Sequence, residues 1–141
     1  MKDNSRRIPC LVVDDDRIFL KIHQHLATKC FGGEVTGFLN AREAITFLNE
    51  PGNQRRPFLI LLDLNMPEMD GWEFLEYLRI SKSDTEIRVA IVTSSTSAQD
   101  RLRAKKYPFV VDFIIKPMKE KSLQKLSDRL HAQFNGRSRS A

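Results

Sequence analysis

Phe58-Leu59-Ile60-Leu61-Leu62-Asp63 is the stretch on which the fold turns. Five consecutive apolar residues, too few for a helix of ordinary length, suit a strand buried on both faces of a parallel sheet. The run stops at a carboxylate. Upstream, Ile8 to Val13 is a second short apolar run, and it too ends in acid, at Asp14, Asp15 and Asp16. Downstream, Arg88 to Val92 ends at Thr93-Ser94-Ser95, and Val110 to Ile115 ends at Lys116-Pro117. Glu34 to Leu39, after the Gly32-Gly33 turn signal, completes a set of five strands.

Amphipathic stretches separate these runs. From Arg17 to Cys30, Phe19, Ile22, Leu26 and Cys30 recur at helical spacing, and Asp16 stands where an N-cap is useful. Asn40 is placed to cap a helix carrying Ala44, Ile45 and Leu48, which Pro51-Gly52 ends. A third helix carries Trp72, Phe74, Leu75 and Leu78, read as packing residues, and Ala98 to Lys106 makes a short fourth. Lys119 to Phe134 closes the chain with Leu123, Leu126 and Leu130 on one face. Five strands alternating with five helices predict an α/β fold: a doubly wound five-stranded parallel sheet, flavodoxin-like (βα)5, in strand order 2-1-3-4-5.

Composition narrows the function classes. The 141 residues fit one domain, and a hydrophobic fraction of 41% supports an ordinary core. No apolar run approaches the roughly 18 residues of a membrane span, and Met1 to Arg7 lacks a signal-peptide core, so the protein is read as soluble and cytoplasmic. The net charge of +5 is dispersed. Its densest group, Arg101, Arg103, Lys105 and Lys106, is read as a solvated helix face; with no recognition-helix motif visible, neither nucleic acid nor membrane is expected as a direct partner. Cys10 and Cys30 have no metal-ligand spacing and are expected to be free thiols. His23, His25 and His131 have no partner pattern and are expected at the surface.

In an open parallel sheet, ligands bind beyond the carboxyl ends of the strands. That rule gathers Asp14, Asp15, Asp63, Thr93 and Lys116 into one cleft. Carboxylates held close repel one another, and a hard divalent cation such as Mg²⁺ relieves the repulsion. A carboxylate can act as nucleophile in phosphoryl transfer, while a lysine and a hydroxyl contact the remaining phosphoryl oxygens.

Val12-Val13-Asp14-Asp15-Asp16, Leu62-Asp63-Leu64-Asn65-Met66-Pro67-Glu68-Met69-Asp70-Gly71, Val92-Thr93-Ser94 and Lys116-Pro117 together resemble the receiver domains of two-component response regulators. The resemblance implies that Asp63 is the phosphoacceptor. It implies Mg²⁺ held by Asp14, Asp15, Asp63 and the backbone carbonyl of Asn65, with Asp14 acting largely through metal-bound water. Thr93 and Lys116 are then the phosphoryl-contacting groups, and the Lys116-Pro117 bond is cis. Phe113 is the aromatic switch position, or else a merely half-buried aromatic. The side chains of Asn65 and Ser95 stand where the family tunes hydrolysis, and solvated loop residues are the alternative. Asp16 is a helix cap before it is a ligand.

The same resemblance places a receiver domain at 8–134 with flexible termini at 1–7 and 135–141 and no output domain. It implies a phosphodonor, either a histidine kinase or a histidine phosphotransfer protein. It also implies an unknown downstream protein target, contacted through the fourth helix, fifth strand and fifth helix. Such a protein promotes its own phosphorylation and dephosphorylation and is not otherwise an enzyme. An aspartyl phosphatase would want a second acid two residues after the nucleophile, where this chain has Asn65. One departure stands out: Tyr107-Pro108 replaces the small-residue step common before the fifth strand, so this loop is expected to differ in shape.

Overall fold

The computed structural model describes residues 8–139, with side chains as far as Ala132. The elements alternate without exception: β1 (Cys10–Val13), α1 (Arg17–Phe31), β2 (Val35–Phe38), α2 (Ala41–Leu48), β3 (Phe58–Leu62), α3 (Gly71–Ser81), β4 (Ile87–Thr93), α4 (Ala98–Ala104), β5 (Val110–Ile115) and α5 (Glu120–Arg139). The strands form one sheet in the order β2-β1-β3-β4-β5, with each neighbouring pair parallel. Both the doubly wound topology and the strand order agree with the sequence pattern.

All five residues of β3 are buried, because β3 is the central strand and helices cover both its faces. Alternate side chains feed two cores. Ile60 and Leu62 join Leu11, Phe74, Leu75 and Ile91 on one face, while Leu59 and Leu61 join Val12, Ala27, Leu123 and Leu126 on the other. The continuous apolar run and the period-2 strand geometry are thus two views of one arrangement.

Several boundaries move from their sequence expectations. β1 begins at Cys10 rather than Ile8, because Pro9 has no N–H to give to the ladder, although its carbonyl still accepts from Leu59 N–H at 3.0 Å. α4 ends at Ala104, with Lys105 and Lys106 in the turn that follows. α5 continues beyond Phe134 to Arg139, so 135–139, expected as a loose tail, are helical. The flexibility expected of 1–7, 140 and 141 lies outside the described residues.

α1 shows the clearest correction. Its buried face is Leu20, His23, Ala27 and Phe31, one residue on from the stripe expected at Phe19, Ile22, Leu26 and Cys30. The helix is apolar over much of its circumference, so two faces compete, and the one with the small Ala27 packs closer. Ile18 and Ile22 are left exposed, and His23, expected at the surface, is 1% exposed. Asp16 caps the helix as expected, accepting from Ile18 N–H at 2.8 Å and Phe19 N–H at 3.2 Å. Gly32 ends it in the left-handed region (φ 65°), where a side chain would be strained.

Candidate functional site

Parallel register brings the strand ends level. Val13 pairs with Leu62, so Asp14 and Asp63 leave adjacent strands at the same height, and Asp63 N–H donates to the Val13 carbonyl at 3.0 Å. β4 and β5 deliver Thr93 and Lys116 beside them, with Lys116 N–H bonded to the Thr93 carbonyl at 2.8 Å. Asp14, Asp63 and Thr93 are all buried, whereas Asp15 faces solvent.

Lys116 reaches into this group. Its Nζ lies 2.9 Å from Asp14 Oδ2 and 3.4 Å from Asp63 Oδ2, and also 4.6 Å from the centre of the Phe19 ring. Burial works to lower the Lys116 pKa, but its bonds to Asp14 and Asp63 outweigh burial and hold the ammonium firmly protonated. Asp63 is the reverse case. Burial, aided by the Asp14 charge, pushes its pKa from 3.8 up to about 6 against the pull of Lys116 and the Asn65 N–H. Asp63 is therefore a carboxylate near neutrality, but an under-solvated one. Lys116-Pro117 is a cis peptide.

Asp14, Asp15 and Asp63 each offer an oxygen, and these oxygens lie within 4.8 Å of one another. Among the described residues this is the one group of acidic, His or Cys side chains so arranged. Hard oxygen donors with this span fit Mg²⁺ by the chemistry of the set. Asp16 is not part of it, consistent with its capping role.

The remaining candidates are placed as follows. Asn65 is exposed, and its N–H points toward Asp63 Oδ1 at 3.4 Å. Thr93 Oγ1 accepts from Ser95 N–H at 3.2 Å, so its own proton is free for another acceptor. Ser95 Oγ instead donates to Asp100 Oδ2 at 2.6 Å, aiming that hydroxyl at the first turn of α4. Phe113 is half-buried, with the Arg101 guanidinium 4.9 Å from its ring centre.

Three further residues have roles that sequence reasoning did not assign. A Cβ on Gly71 would fall 2.7 Å from both the Asp63 carbonyl oxygen and Leu64 Cα, so only glycine lets α3 begin this close to the Asp63 loop. His23 is buried near Asp14 and Lys116 with its Nε2 unpartnered; burial lowers its pKa, with Asp14 opposing. Tyr107, in the segment expected to depart in shape, is buried against Trp72 and donates its hydroxyl to Glu76 at 2.6 Å.

A family model of the response regulator receiver domain matches residues 10–128, a span that includes every strand and all the residues of this cleft. The chain belongs to that family. Among relatives, it is 29% identical over 132 residues to the probable methanogenesis regulatory protein FilR2 of Methanothrix harundinacea, covering 92% of this chain and 84% of that protein. It is 33% identical over 116 residues to the two-component response regulator ORR26 of Oryza sativa subsp. japonica, covering 82% of this chain but 19% of that protein. This receiver domain thus spans most of one relative and about a fifth of the other. Of solved structures, the chemotaxis protein CheY4 of Vibrio cholerae superposes with a TM-score of 0.72 at 26% identity, over 87% of this chain and 98% of that one. A receiver protein from Dyadobacter fermentans gives 0.75 at 27%, over 87% and 97%. No helix among the described residues is long and apolar enough to cross a membrane.

Proposed function

We propose that this receiver domain accepts a phosphoryl group on Asp63 from the phosphohistidine of a histidine kinase or histidine phosphotransfer protein. It then signals to a downstream protein through a surface that responds to that charge. One observation carries the reading: a buried carboxylate, Asp63, stands beside two others and within 3.4 Å of a buried ammonium. An ion pair that served stability alone would not set two buried carboxylates on one lysine with a third acid beside them.

An Asp63 oxygen attacks phosphorus as the bond to the histidine nitrogen breaks, leaving an acyl phosphate and a free imidazole. The raised Asp63 pKa still leaves the carboxylate ionised above about pH 6, and weak solvation makes it the better nucleophile. Asp14, Asp15, Asp63 and the Asn65 carbonyl would hold Mg²⁺, which would supply charge neutralisation at the phosphoryl oxygens. Lys116, already in the cleft, gives one charged hydrogen bond to the phosphoryl group, and Thr93 gives its free proton to another oxygen. When Thr93 turns, its bond to Ser95 N–H is lost. The loop to α4 is then released, and Phe113 is free to follow. Asn65 and Ser95 flank the pocket and set the lifetime of the phosphate. A kinase donor places this chemistry in the cytoplasm.

Labelling by acetyl phosphate with Mg²⁺ tests the assignment. Wild type takes up one phosphate, whereas Asp63→Asn takes up none; labelling retained in Asp63→Asn would place the acceptor elsewhere.

A further inference from the structure

β5 is an edge strand, and its free side opens on a groove of about 760 Å³ running between it and α5. The ladder to β4 uses alternate residues: Lys116 N–H bonds the Thr93 carbonyl, so the N–H groups of Phe113 and Ile115 turn to the open side. Unpaired strand edges attract other strands, and proteins blunt them with charge and with bulges. Both devices are present here. A register shift opposite Val89 and Ala90 bulges the start of β5, and Asp112 folds over the edge.

The position of Asp112 is informative. Its Oδ1 accepts from Phe113 N–H at 2.8 Å, and its Oδ2 accepts from Arg129 Nη2 on α5, also at 2.8 Å. One side chain thus fills two roles that an arriving acidic strand could fill, as acceptor for an edge amide and as counter-ion for the α5 cation. Phe113, Ile115 and Pro117 line the apolar part of the groove. Lys119, Lys125 and Arg129 stand along it against two carboxylates, Asp112 and Asp128, and displacing Asp112 leaves the cations in clear excess.

We propose that this groove docks an extended acidic segment of a partner protein, which adds to the free edge of β5 and displaces Asp112 from Phe113 N–H and Arg129. Apolar lining and outward-turned edge amides, once Asp112 has left Phe113 N–H, suit a peptide backbone with alternating acidic and apolar side chains. A nucleic acid would use the cations but neither the lining nor the amides. The proposal deepens the functional reading by naming the partner's chemistry. Its test uses unphosphorylated full-length protein, so a failure of Asp63 labelling and a failure here are separate results.

The probe is an acetylated, amidated peptide of about ten residues alternating Glu and Val, titrated into ¹⁵N-labelled protein. Expected are shifts at the Phe113 and Ile115 amides and an affinity that falls at least about tenfold in Lys119→Glu/Lys125→Glu. Asp112→Ala removes the internal competitor and binds at least about fivefold tighter, with Asp112→Asn, which keeps an amide acceptor, in between. A Glu-Pro peptide of equal charge lacks half the strand N–H groups and binds at least about fivefold weaker. The proposal is overturned by shifts that avoid β5, by Asp112→Ala binding no tighter, or by equal binding of the Glu-Pro peptide. A DNA duplex preferred over the peptide overturns it too, as does an Asp112→Ala protein that only self-associates.

Discussion

The ends of β1, β3 and β5 lie beside the end of β4, which a single loop joins to the flank formed by α4, yet different forces hold the two regions. At the strand ends, charges are buried: Asp14, Asp63 and Lys116 sit within a few ångströms of one another, on strands locked by ladders on either side or by one ladder and a covering helix. At the flank, α4 buries Ala104 alone and leaves Leu102 63% exposed. It is pinned instead by the Arg103 guanidinium 4.3 Å from the Trp72 ring centre, by Arg101 over Phe113, and by Asp100 on Ser95. The first region places reactive groups where they cannot relax. The second is tied by contacts individually worth about 1 kcal/mol or less, suited to an element that must shift.

The largest effect expected from breaking this contrast is at Lys116. Lys116→Met leaves two buried carboxylates facing each other without a cation, which costs on the order of 3 kcal/mol in EDTA at pH 8. Urea melts should show the loss shrink as the pH falls toward 6, because Asp63 then takes up a proton. Added Mg²⁺ should recover part of it. An unchanged midpoint at pH 8 would mean that the carboxylates are not in effect buried charges.

Asp63→Asn should act in the opposite direction. The folded pKa of Asp63, about 6, lies above its ordinary 3.8, so the folded chain holds this proton more tightly than the unfolded chain does. The stability from that proton is fully present below about pH 3.8 and is lost as pH rises through about 6. In metal-free buffer at pH 8 the asparagine variant should be more stable by about 1–2 kcal/mol, and at pH 4 the two should coincide. A constant difference across that range would remove the ionisation argument and leave a packing effect.

The same contrast decides what could be read without coordinates. The strand ends were legible because a doubly covered sheet demands unbroken apolar runs, and each run stops at a residue with chemistry. Asp14, Asp63, Thr93 and Lys116 needed only the strand order to converge. α1 was harder: Ile18, Phe19, Leu20, Ile22, Leu26, Ala27, Cys30 and Phe31 offer two overlapping faces, and periodicity alone does not choose between them. His23, expected at the surface for want of a partner pattern, lies on the face that periodicity did not choose. Around α4 the contacts that matter join residues distant in sequence, Arg103 with Trp72 and Arg101 with Phe113. Tyr107 was visible as a departure, but nothing near it pointed to Glu76, 31 residues earlier.

The smallest effects belong to α4, and they sharpen the contrast because they should separate stability from signal. Tyr107 is buried and its hydroxyl is bonded to Glu76, with its pKa raised by burial and by that carboxylate. Tyr107→Phe should lower the melting temperature by a few degrees and leave labelling of Asp63 intact. Arg103→Ala removes the cation over Trp72, the one tryptophan in the chain, together with its charge near Glu76 and Tyr107, and should change stability by no more than about 0.5 kcal/mol. Trp72 emission should nevertheless change in the resting protein, and the further change on phosphorylation should shrink, since the reporter has lost the contact that ties it to α4. Should Arg103→Ala respond to phosphorylation with the full wild-type change, the guanidinium would not be what couples Trp72 to α4, and the Tyr107–Trp72 stack would have to carry that coupling instead.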